Sequence, residues 1–495
     1  MIVNEIRTGF YLDSVALMRI ASSLTDGAPG REAALMMGTP ANKRVLADAG
    51  LLVADGQSAK ANDLIIALSA PDATMLDALL RDALTALSGP QGVQSADDDW
   101  RPASLSGALD RLPDTNLVVV SVPAEYAVAE ARQAIDRHCN VMIFSDNVSL
   151  EDELALKQRA DADGLLVMGP DCGTAYLAGV PLAFAHNVRR GPVGLIGASG
   201  TGLQSISVLV DQAGSGISHG FGVGGRDLDD RIGGISALRA IDLLDSDPST
   251  ERMLLISKPP GPRTAHRLAA RLRAASKPSA MLVLGLPTDG ASDGTTTLRT
   301  VKEAGAWCVG GAVGWSESEF ADALATARER VSVDKPIVRG LFAGGTLCLE
   351  AQSVFAAGGI IAASNVPLAA TPSTHSGIQL LDLGADEFTV GSPHPMLEPS
   401  VRNAPTRVAL DEADVILVDF LLGHGSADDP TGAFIACLEA CPKPPLVVAS
   451  VIGTSSDPQG LERHVRRLND EGVLVAPTST DAARLVASLV EVTNR

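Results

Sequence analysis

Nearly uninterrupted apolar runs alternate with segments of helical period along most of this chain. Leu117–Val122 and Val141–Phe144 are two such runs, and Ala124–His138 between them has a helical period. Apolar strands of this kind are typical of parallel sheets that are covered on both faces. Further strands are predicted at Leu165–Met168, Val193–Ile196, Gly220–Val223, Met253–Ser257, Ala280–Leu284, Trp307–Val309, Val338–Phe342, Ile378–Leu381, Val415–Val418, Leu446–Val451 and Val473–Pro477. The alternation predicts an α/β fold with doubly wound parallel sheets.

Four units are predicted along the chain. Residues 1–95 carry three strand-like runs and three helical patterns, which indicate a small α/β domain. A polar stretch from Ser88 to Asp99 is typical of a linker. The units that follow are residues 96–190, 191–330 and 331–495, each with its own pattern of strands and helices.

Composition and charge exclude several classes of partner. The net charge of −20 argues against nucleic acid and anionic membrane surfaces, because both require an excess of Lys and Arg. No stretch of about 18 apolar residues predicts a membrane span. The six cysteines are scattered without a CxxC pair, and the first residues lack the pattern of a secretory signal. A cytoplasmic location is therefore expected.

The first candidate site is a glycine-rich turn between a predicted strand and a helix. The strand that begins at Val193 ends in Gly197-Ala-Ser-Gly-Thr-Gly, which includes Ser199, Gly200, Thr201 and Gly202. Glycines allow a ligand to approach the backbone, and a helix N-terminus presents free N–H groups to an anion. The turn predicts a phosphate or acyl phosphate site. No Gly-Lys-Ser/Thr follows, so it is not a Walker P-loop, and a simple tight turn capped by Ser199 is the alternative.

A second turn repeats the same device in the last unit. The strand at Val338–Phe342 leads into Gly344-Gly345-Thr346 and a helical pattern. We expect this turn to face Ser199–Thr201 across one cleft, with a phosphate dianion between the two helix N-termini. The alternative is that Gly344–Thr346 is only a tight loop.

Other polar residues lie in predicted loops. His394, between two prolines, is a candidate acid/base or oxyanion donor, and Lys258 follows a strand where open sheets bind ligands. These two are the predicted catalytic residues. The candidates for substrate contacts are Asp171, Cys172, Arg226, Asp227 and His424. Cys172 is alternatively a small buried thiol, and His375 is a weaker candidate.

No resident metal is predicted from spacing. The sequence contains no His, Cys or Asp cluster with the spacing of metal ligands. Four aspartates could orient the cations of the site or a Mg²⁺ ion, which leaves Mg²⁺ as an open option: Asp171, Asp227, Asp428 and Asp429.

Two parts of the chain resemble succinyl-CoA synthetase. Residues 115–312 resemble its α subunit, on the basis of Met168-Gly-Pro-Asp-Cys-Gly, Gly197-Ala-Ser-Gly-Thr and Gly222-Val-Gly-Gly-Arg-Asp. Residues 336–495 resemble the C-terminal domain of its β subunit, where Gly344-Gly345-Thr346 and Leu381-Asp-Leu-Gly match. This resemblance implies a Rossmann-like unit at 96–190 and flavodoxin-like folds for the last two units.

The whole chain is most similar to the FdrA proteins. The segments that carry this resemblance are Met36-Met-Gly-Thr-Pro-Ala-Asn-Lys, Phe144-Ser-Asp-Asn-Val, Ser257-Lys-Pro-Pro, Thr389-Val-Gly-Ser-Pro-His-Pro-Met and Asp428-Asp-Pro.

The chain also departs from the synthetase pattern. It lacks a glycine-rich CoA-binding loop near the N-terminus, which argues against CoA binding. It has Gly285-Leu-Pro-Thr-Asp-Gly where the synthetase has the Met-Gly-His-Ala-Gly segment that carries phosphohistidine. It has Ser257-Lys-Pro-Pro-Gly in place of the supporting Gly-Glu-x-Gly-Gly loop, and no ATP-grasp half.

The resemblance implies a phosphate-dependent enzyme. The first hypothesis is a carbamoyltransferase subunit of the oxamate carbamoyltransferase type, in which phosphate attacks a ureido or carboxylate-bearing substrate in ureide (purine) catabolism and carbamoyl phosphate is formed. The second is an NDP-forming acyl-CoA synthetase, and the third is a non-catalytic scaffold that binds an acyl phosphate. Partners are expected to be the small substrate, phosphate, and other subunits or copies of the chain.

Overall fold

The computed structural model describes residues 1–10, 12, 14–25, 30–61, 63–88, 102, 104–285, 295–331, 333, 335–368, 377–389 and 393–491. His375, Gly391 and the predicted linker beyond Ser88 lie outside these residues. The chain divides into two compact units. The first comprises Met1–Pro102 and Asp386–Val401, and the second comprises Ala103–Ala385 and Arg402–Arg495.

The first unit contains a three-stranded antiparallel sheet. Strand β3 lies between β1 and β2 and is antiparallel to both. It is almost wholly buried, as its run of apolar residues requires. The elements of this unit are β1 (Ile2–Arg7), α1 (Ser14–Thr25), β2 (Glu32–Met37), α2 (Pro40–Asp48), α3 (Ala54–Ser58), β3 (Leu64–Ser69), α4 (Ala73–Ser88) and the later α14 (Asp386–Thr389).

The second unit begins with a small parallel sheet of three strands in the order β4-β5-β6. Its elements are α5 (Leu105–Arg111), β4 (Leu117–Val120), α6 (Ala124–Asp136), β5 (Asn140–Ile143), α7 (Leu150–Ala162) and β6 (Val167–Met168). The small, buried alanines of α6 allow the helix to pack closely on the sheet.

A seven-stranded sheet follows, in the order β13-β12-β11-β9-β10-β7-β8. It is parallel except for the hairpin β7–β8, whose strand β7 pairs antiparallel with β10. The elements are β7 (Thr174–Leu177), β8 (Val180–Ala183), β9 (Arg190–Gly197), α8 (Gly200–Gln212), β10 (Ile217–Gly222), α9 (Ile235–Ser246), β11 (Arg252–Ser257), α10 (Pro262–Arg273), β12 (Ser279–Val283), β13 (Thr296–Leu298), α11 (Val301–Val309) and α12 (Glu317–Arg330).

The last sheet has six parallel strands in the order β15-β16-β14-β17-β18-β19. Its elements are β14 (Val338–Phe342), α13 (Gly345–Ala357), β15 (Ala363–Ser364), β16 (Ile378–Asp382), α15 (Asn403–Glu412), β17 (Val415–Leu421), α16 (Gly432–Glu439), β18 (Leu446–Ile452), α17 (Leu461–Asp470), β19 (Leu474–Ala476) and α18 (Ser479–Glu491). A short 3₁₀ helix at Pro399–Arg402 precedes α15.

These sheets confirm the predicted α/β class, and one predicted strand is wrong. Trp307–Val309 lies in α11, because Thr300 caps that helix through a hydrogen bond from Glu303 N to its Oγ1 at 3.1 Å. The residues Val301, Ala304 and Cys308 then recur at helical spacing on its buried face. No helix in the described part of the chain is long and apolar enough to cross a membrane.

Candidate functional site

A cavity of about 750 Å³ lies in the second unit, at the carboxyl ends of the strands β9, β10 and β11. The first turns of α8 and α13 also line it, through Ser199, Thr201 and Thr346. Open parallel sheets bind ligands at this edge, because the strand ends and helix N-termini converge there. The cavity therefore combines the two turns that the sequence singled out.

The two turns are in direct contact. Ser199 Oγ and Thr346 Oγ1 lie 2.5 Å apart, which is hydrogen-bond distance, although 147 positions separate the residues. Ser199 also caps α8, since its Oγ accepts a hydrogen bond from Gly202 N at 3.0 Å. The predicted juxtaposition of Ser199–Thr201 with Gly344–Thr346 is thus present, and two helix N-termini are directed toward one space.

Neighbouring atoms leave little room for side chains at these glycines. A Cβ on Gly202 would lie 2.7 Å from Ile256 Cγ2, and one on Gly345 would lie 2.8 Å from Asp382 Oδ2. At Gly344 a Cβ would lie 3.0 Å from Thr201 Cγ2. A Cβ on Gly200 would meet Thr174 Oγ1 at 3.3 Å. A side chain at any of these four glycines would therefore force its neighbours to shift, because the helix starts pack closely against their surroundings.

Buried charges hold the second turn in place. Asp419 Oδ1 accepts a hydrogen bond from Ala343 N at 2.7 Å, immediately before Gly344. Arg402 donates to the backbone oxygens of Leu341 and Asp419, both at 2.7 Å. Burial raises the pKa of Asp419 to about 6, with a smaller contribution from the negative charge of Asp382, while the Arg402 cation opposes the shift.

Two cations line the cavity. Lys258 is exposed, and its Nζ lies 3.4 Å from the position of a Cβ on Gly345, which places the ammonium group beside the start of α13. The guanidinium of Arg226 is also partly exposed, and it donates to Val148 O at 2.8 Å. Opposite charges are present as well, so the field is mixed: Asp171, Asp229 and Asp382 line the same cavity.

Asp227 does not line this cavity, contrary to the predicted substrate contact. Its carboxylate is fully buried, where it accepts hydrogen bonds from Lys157 Nζ at 2.8 Å and from Ala237 N at 2.9 Å. A further bond from Ser236 N anchors the first turn of α9. Both oxygens are occupied by protein donors, so this geometry gives Asp227 a structural role.

Cys172 forms part of the cavity wall, but its thiol is buried. Its Sγ lies 3.6 Å from Thr174 O, and burial raises the pKa of the thiol to about 12. The thiolate that nucleophilic chemistry needs is therefore disfavoured. This placement matches the alternative of a small buried thiol. Asp171, one residue earlier, is exposed at the cavity.

The two candidate histidines that the structure describes, His394 and His424, do not line the cavity. His424 is exposed and its Nε2 lies 2.9 Å from Asn187 Oδ1, and it does not line the cavity. His394 belongs to the first unit, where its Nδ1 accepts a hydrogen bond from Met396 N at 3.2 Å. Its predicted catalytic role, like that of Lys258, stays a prediction.

Sequence reasoning missed several residues of the cavity. Asp382 is the last residue of β16 and follows the predicted strand Ile378–Leu381, so the end of that predicted strand was a signal that could have identified it. Asp229 is paired with Arg231, whose hydrogen bonds lower the Asp229 pKa to about 2. Thr174 had no signal, because it reaches the cavity on the hairpin β7–β8. In the described residues no cluster of three His, Cys, Asp or Glu side chains could hold a metal.

Comparison with known proteins places this chain in a family. Residues 1–102 match a family model described as AllF, heavy metal-associated domain, and residues 341–489 match the CoA-ligase model. The uncharacterized protein YahF of Escherichia coli (strain K12) is 38% identical over 98% of this chain and 98% of its own length. The chain belongs to the YahF family.

Two α subunits of CoA ligases are each similar to part of the chain. The succinate–CoA ligase [ADP-forming] subunit alpha 2 of Archaeoglobus fulgidus is 30% identical over 45% of this chain and 74% of its own length. The malate–CoA ligase subunit alpha of Methylorubrum extorquens is 30% identical over 35% of this chain and 59% of its own length. The YahF family is thus a succinyl-CoA-synthetase-like family in which an AllF-type domain is fused to a CoA-ligase domain.

The description of the N-terminal family model raises the question of a heavy metal. Residues 1–102 of this chain contain neither Cys nor His. Soft and borderline metals prefer thiolate, thioether and imidazole ligands in proteins, and of these the domain has only the thioether of methionine. The domain therefore lacks the Cys and His ligands of a heavy-metal site, and no step of the chemistry is assigned to one.

Proposed function

We propose that this chain catalyses acyl transfer through a phosphate group held between the N-termini of α8 and α13, as in an NDP-forming acyl-CoA synthetase. The contact between Ser199 Oγ and Thr346 Oγ1 at 2.5 Å is the observation that carries the proposal. Each helix N-terminus has about half a positive charge, and the paired hydroxyls leave one O–H group free to donate a hydrogen bond. The relatives named as succinate–CoA and malate–CoA ligase α subunits support the same class.

The proposed step is attack by a thiol on an acyl phosphate. The sulfur bonds to the carbonyl carbon, the bond from that carbon to the phosphate oxygen breaks, and the phosphate leaves with the electron pair. The thiol proton passes to solvent or to the leaving phosphate. Lys258 and the two helix N-termini neutralise the charge that develops on the phosphate. A partner subunit would supply the nucleotide site, since this sequence has no ATP-grasp half.

Carbamoyl transfer is the second candidate, and the absence of histidine favours it. None of the described residues that line the cavity is a histidine, and the sequence has Gly285-Leu-Pro-Thr-Asp-Gly in place of a phosphohistidine segment. Phosphate itself would then attack a ureido carbonyl such as that of oxalurate. A C–O bond forms, the C–N bond breaks, and the amide nitrogen leaves after it takes a proton, which yields carbamoyl phosphate.

Calorimetry with inorganic phosphate tests the phosphate site that both candidate functions share. We expect Ser199→Ala and Thr346→Val each to weaken phosphate binding about tenfold, the loss of one hydrogen bond to a charged oxygen. Ser149→Ala is the matched control, because Ser149 Oγ caps α7 by accepting from Asp152 N at 3.1 Å and does not line the cavity. Equal losses in all three variants would contradict the phosphate site.

Product assays with partner subunits distinguish the two reactions. An acyl-CoA synthetase forms acyl-CoA from acyl phosphate and CoA, whereas a carbamoyltransferase forms carbamoyl phosphate from oxalurate and phosphate. Activity that survives Ser199→Ala and Thr346→Val in the presence of partners would instead favour a non-catalytic scaffold.

A further inference from the structure

A second cavity, of about 250 Å³, adjoins the phosphate cavity. The two share Lys258, Pro259 and Gly345 as lining residues, so a ligand with its phosphate at the start of α13 can extend into the second space. Leu349 of α13 and the segment Val366–Leu368 form the other side of this space. We call it the annex.

Hydrogen bonds fix the position of the annex wall. The buried Gln352 donates from Nε2 to Val366 O at 3.0 Å and accepts from Leu368 N at 3.2 Å. The Asn365 side chain exchanges two hydrogen bonds with the backbone of Asp382, both at 2.9 Å. The wall is therefore held by Gln352 of α13 and by the contact of Asn365 with the last residue of β16, and no ligand is needed to form it.

The chemistry of the annex favours an apolar group. Lys258, at the edge that the two cavities share, is the one charged side chain among the described lining residues, and the annex side chains beyond it are aliphatic or proline. A carboxylate beyond the reach of Lys258 would lose water without gaining a charged partner among these lining residues. A buried methylene group strengthens binding about fourfold. At about 30 Å³ for each water-sized group, the annex has room for on the order of eight such groups.

We propose that the annex receives the aliphatic chain of a short monocarboxylic acyl group whose phosphate lies between α8 and α13. This specificity rests on the proposed function, because the phosphate site anchors the ligand. It selects apolar acyl groups over a dicarboxylic acyl group, which would bring a second charge, and over a carbamoyl group, which has no chain.

Calorimetry of the full chain with four probes tests the annex. The probes are inorganic phosphate, acetyl phosphate, butyryl phosphate and succinyl phosphate. We expect butyryl phosphate to bind about fifteenfold more tightly than acetyl phosphate, from two further buried methylenes. Succinyl phosphate should bind no more tightly than acetyl phosphate. Equal affinities for acetyl and butyryl phosphate would overturn the annex, whereas no binding of any probe would also overturn the proposed function.

Two variants make the assignment specific to the annex wall. Val366→Phe fills the space, so the ratio of butyryl to acetyl phosphate affinity should fall to about one. Val408→Phe, at an exposed valine of α15, is the matched control and should leave that ratio as it is. Leu368→Lys adds a cation to the wall and should make succinyl phosphate the tighter ligand of the two longer probes. Unchanged ratios in both annex variants would contradict the proposal.

Discussion

Asp419 is completely buried beneath the second glycine turn. One of its oxygens accepts a hydrogen bond from Ala343 N, and the other, Oδ2, is buried and has no hydrogen-bond partner among the residues that the structure describes. Burial of an incompletely paired carboxylate favours the protonated form, which explains why its pKa is raised to about 6 despite the neighbouring Arg402. The protonation of a carboxyl group that supports the second glycine turn thus depends on pH.

This residue should give the fold a distinct pH dependence. Between about pH 4 and pH 6 the folded chain retains the Asp419 proton, whereas the unfolded chain, with the ordinary pKa of 3.8, has lost it. The contribution of Asp419 to stability therefore falls as the pH rises through this window. Asp419→Asn removes that titration, so the free energy of unfolding of the variant should gain roughly 2–3 kcal/mol relative to wild type between pH 4 and pH 7.

Urea unfolding at a series of pH values measures this difference. Asp322→Asn, on the exposed surface of α12, is the matched control and should show a constant offset from wild type. A constant offset for Asp419→Asn as well would show that the Asp419 carboxyl titrates alike in both states.

Among the elements, the start of α13 is one where neighbouring atoms come close to the backbone beside the candidate phosphate. We expect Gly345→Ala to weaken phosphate binding by about tenfold or more, because the new Cβ would lie 2.8 Å from Asp382 Oδ2 and must displace that side chain or the turn. Calorimetric titration with inorganic phosphate measures this loss of affinity.

Gly225→Ala provides the control for this substitution. Gly225 lines the same cavity, but a Cβ there would have no neighbour within 4 Å. Phosphate affinity should change little in this variant. If Gly225→Ala and Gly345→Ala weaken binding equally, the effect comes from general loss of space in the cavity rather than from the turn of α13.

At the scale of elements, local patterns were sufficient for most of the fold. The apolar run Leu446–Val451 predicts β18 to within one residue of its observed end, because a strand covered on both faces is apolar over nearly its whole length. The two glycine turns were also identified locally, since glycine, serine and threonine at a strand end specify a helix start. The hairpin β7–β8 was missed because its antiparallel pairing with β10 joins residues about forty positions apart.

In the candidate site, contacts between residues far apart in the sequence could not be predicted from the local pattern. Asp227 follows a glycine-rich loop, as a ligand-binding residue would, and its partner Lys157 lies 70 positions earlier. Nothing in the local sequence indicates that contact. The same holds for Asp419, which accepts a hydrogen bond from the backbone N–H of a residue 76 positions away. Such distant pairings decide which polar residues face the cavity and which support it.

Within the second unit, a buried ion cluster connects the small parallel sheet to the seven-stranded sheet. Lys157 of α7 lies 2.8 Å from Glu153 Oε1 and 2.8 Å from Asp227 Oδ1, and all three side chains are almost fully buried. Its Nζ also donates to Val223 O at 3.0 Å, in the loop after β10 that lines the cavity. The cluster thus joins two sheets and fixes the loop that carries Arg226.

Lys157→Met should therefore destabilise the whole molecule strongly. It leaves the buried Asp227 carboxylate without its cation, a change that costs about 3–5 kcal/mol in buried pairs, while Glu153 keeps the Arg226 guanidinium at 2.8 Å. Adding Asp227→Asn should recover part of the loss, because the carboxylate that has lost its cation becomes neutral. Arg159→Met, two residues away, removes a surface pair with Asp163 and should cost at most about 1 kcal/mol. Urea unfolding compares the three variants, and a loss below about 1 kcal/mol for Lys157→Met would show that the cluster contributes no more than a surface pair.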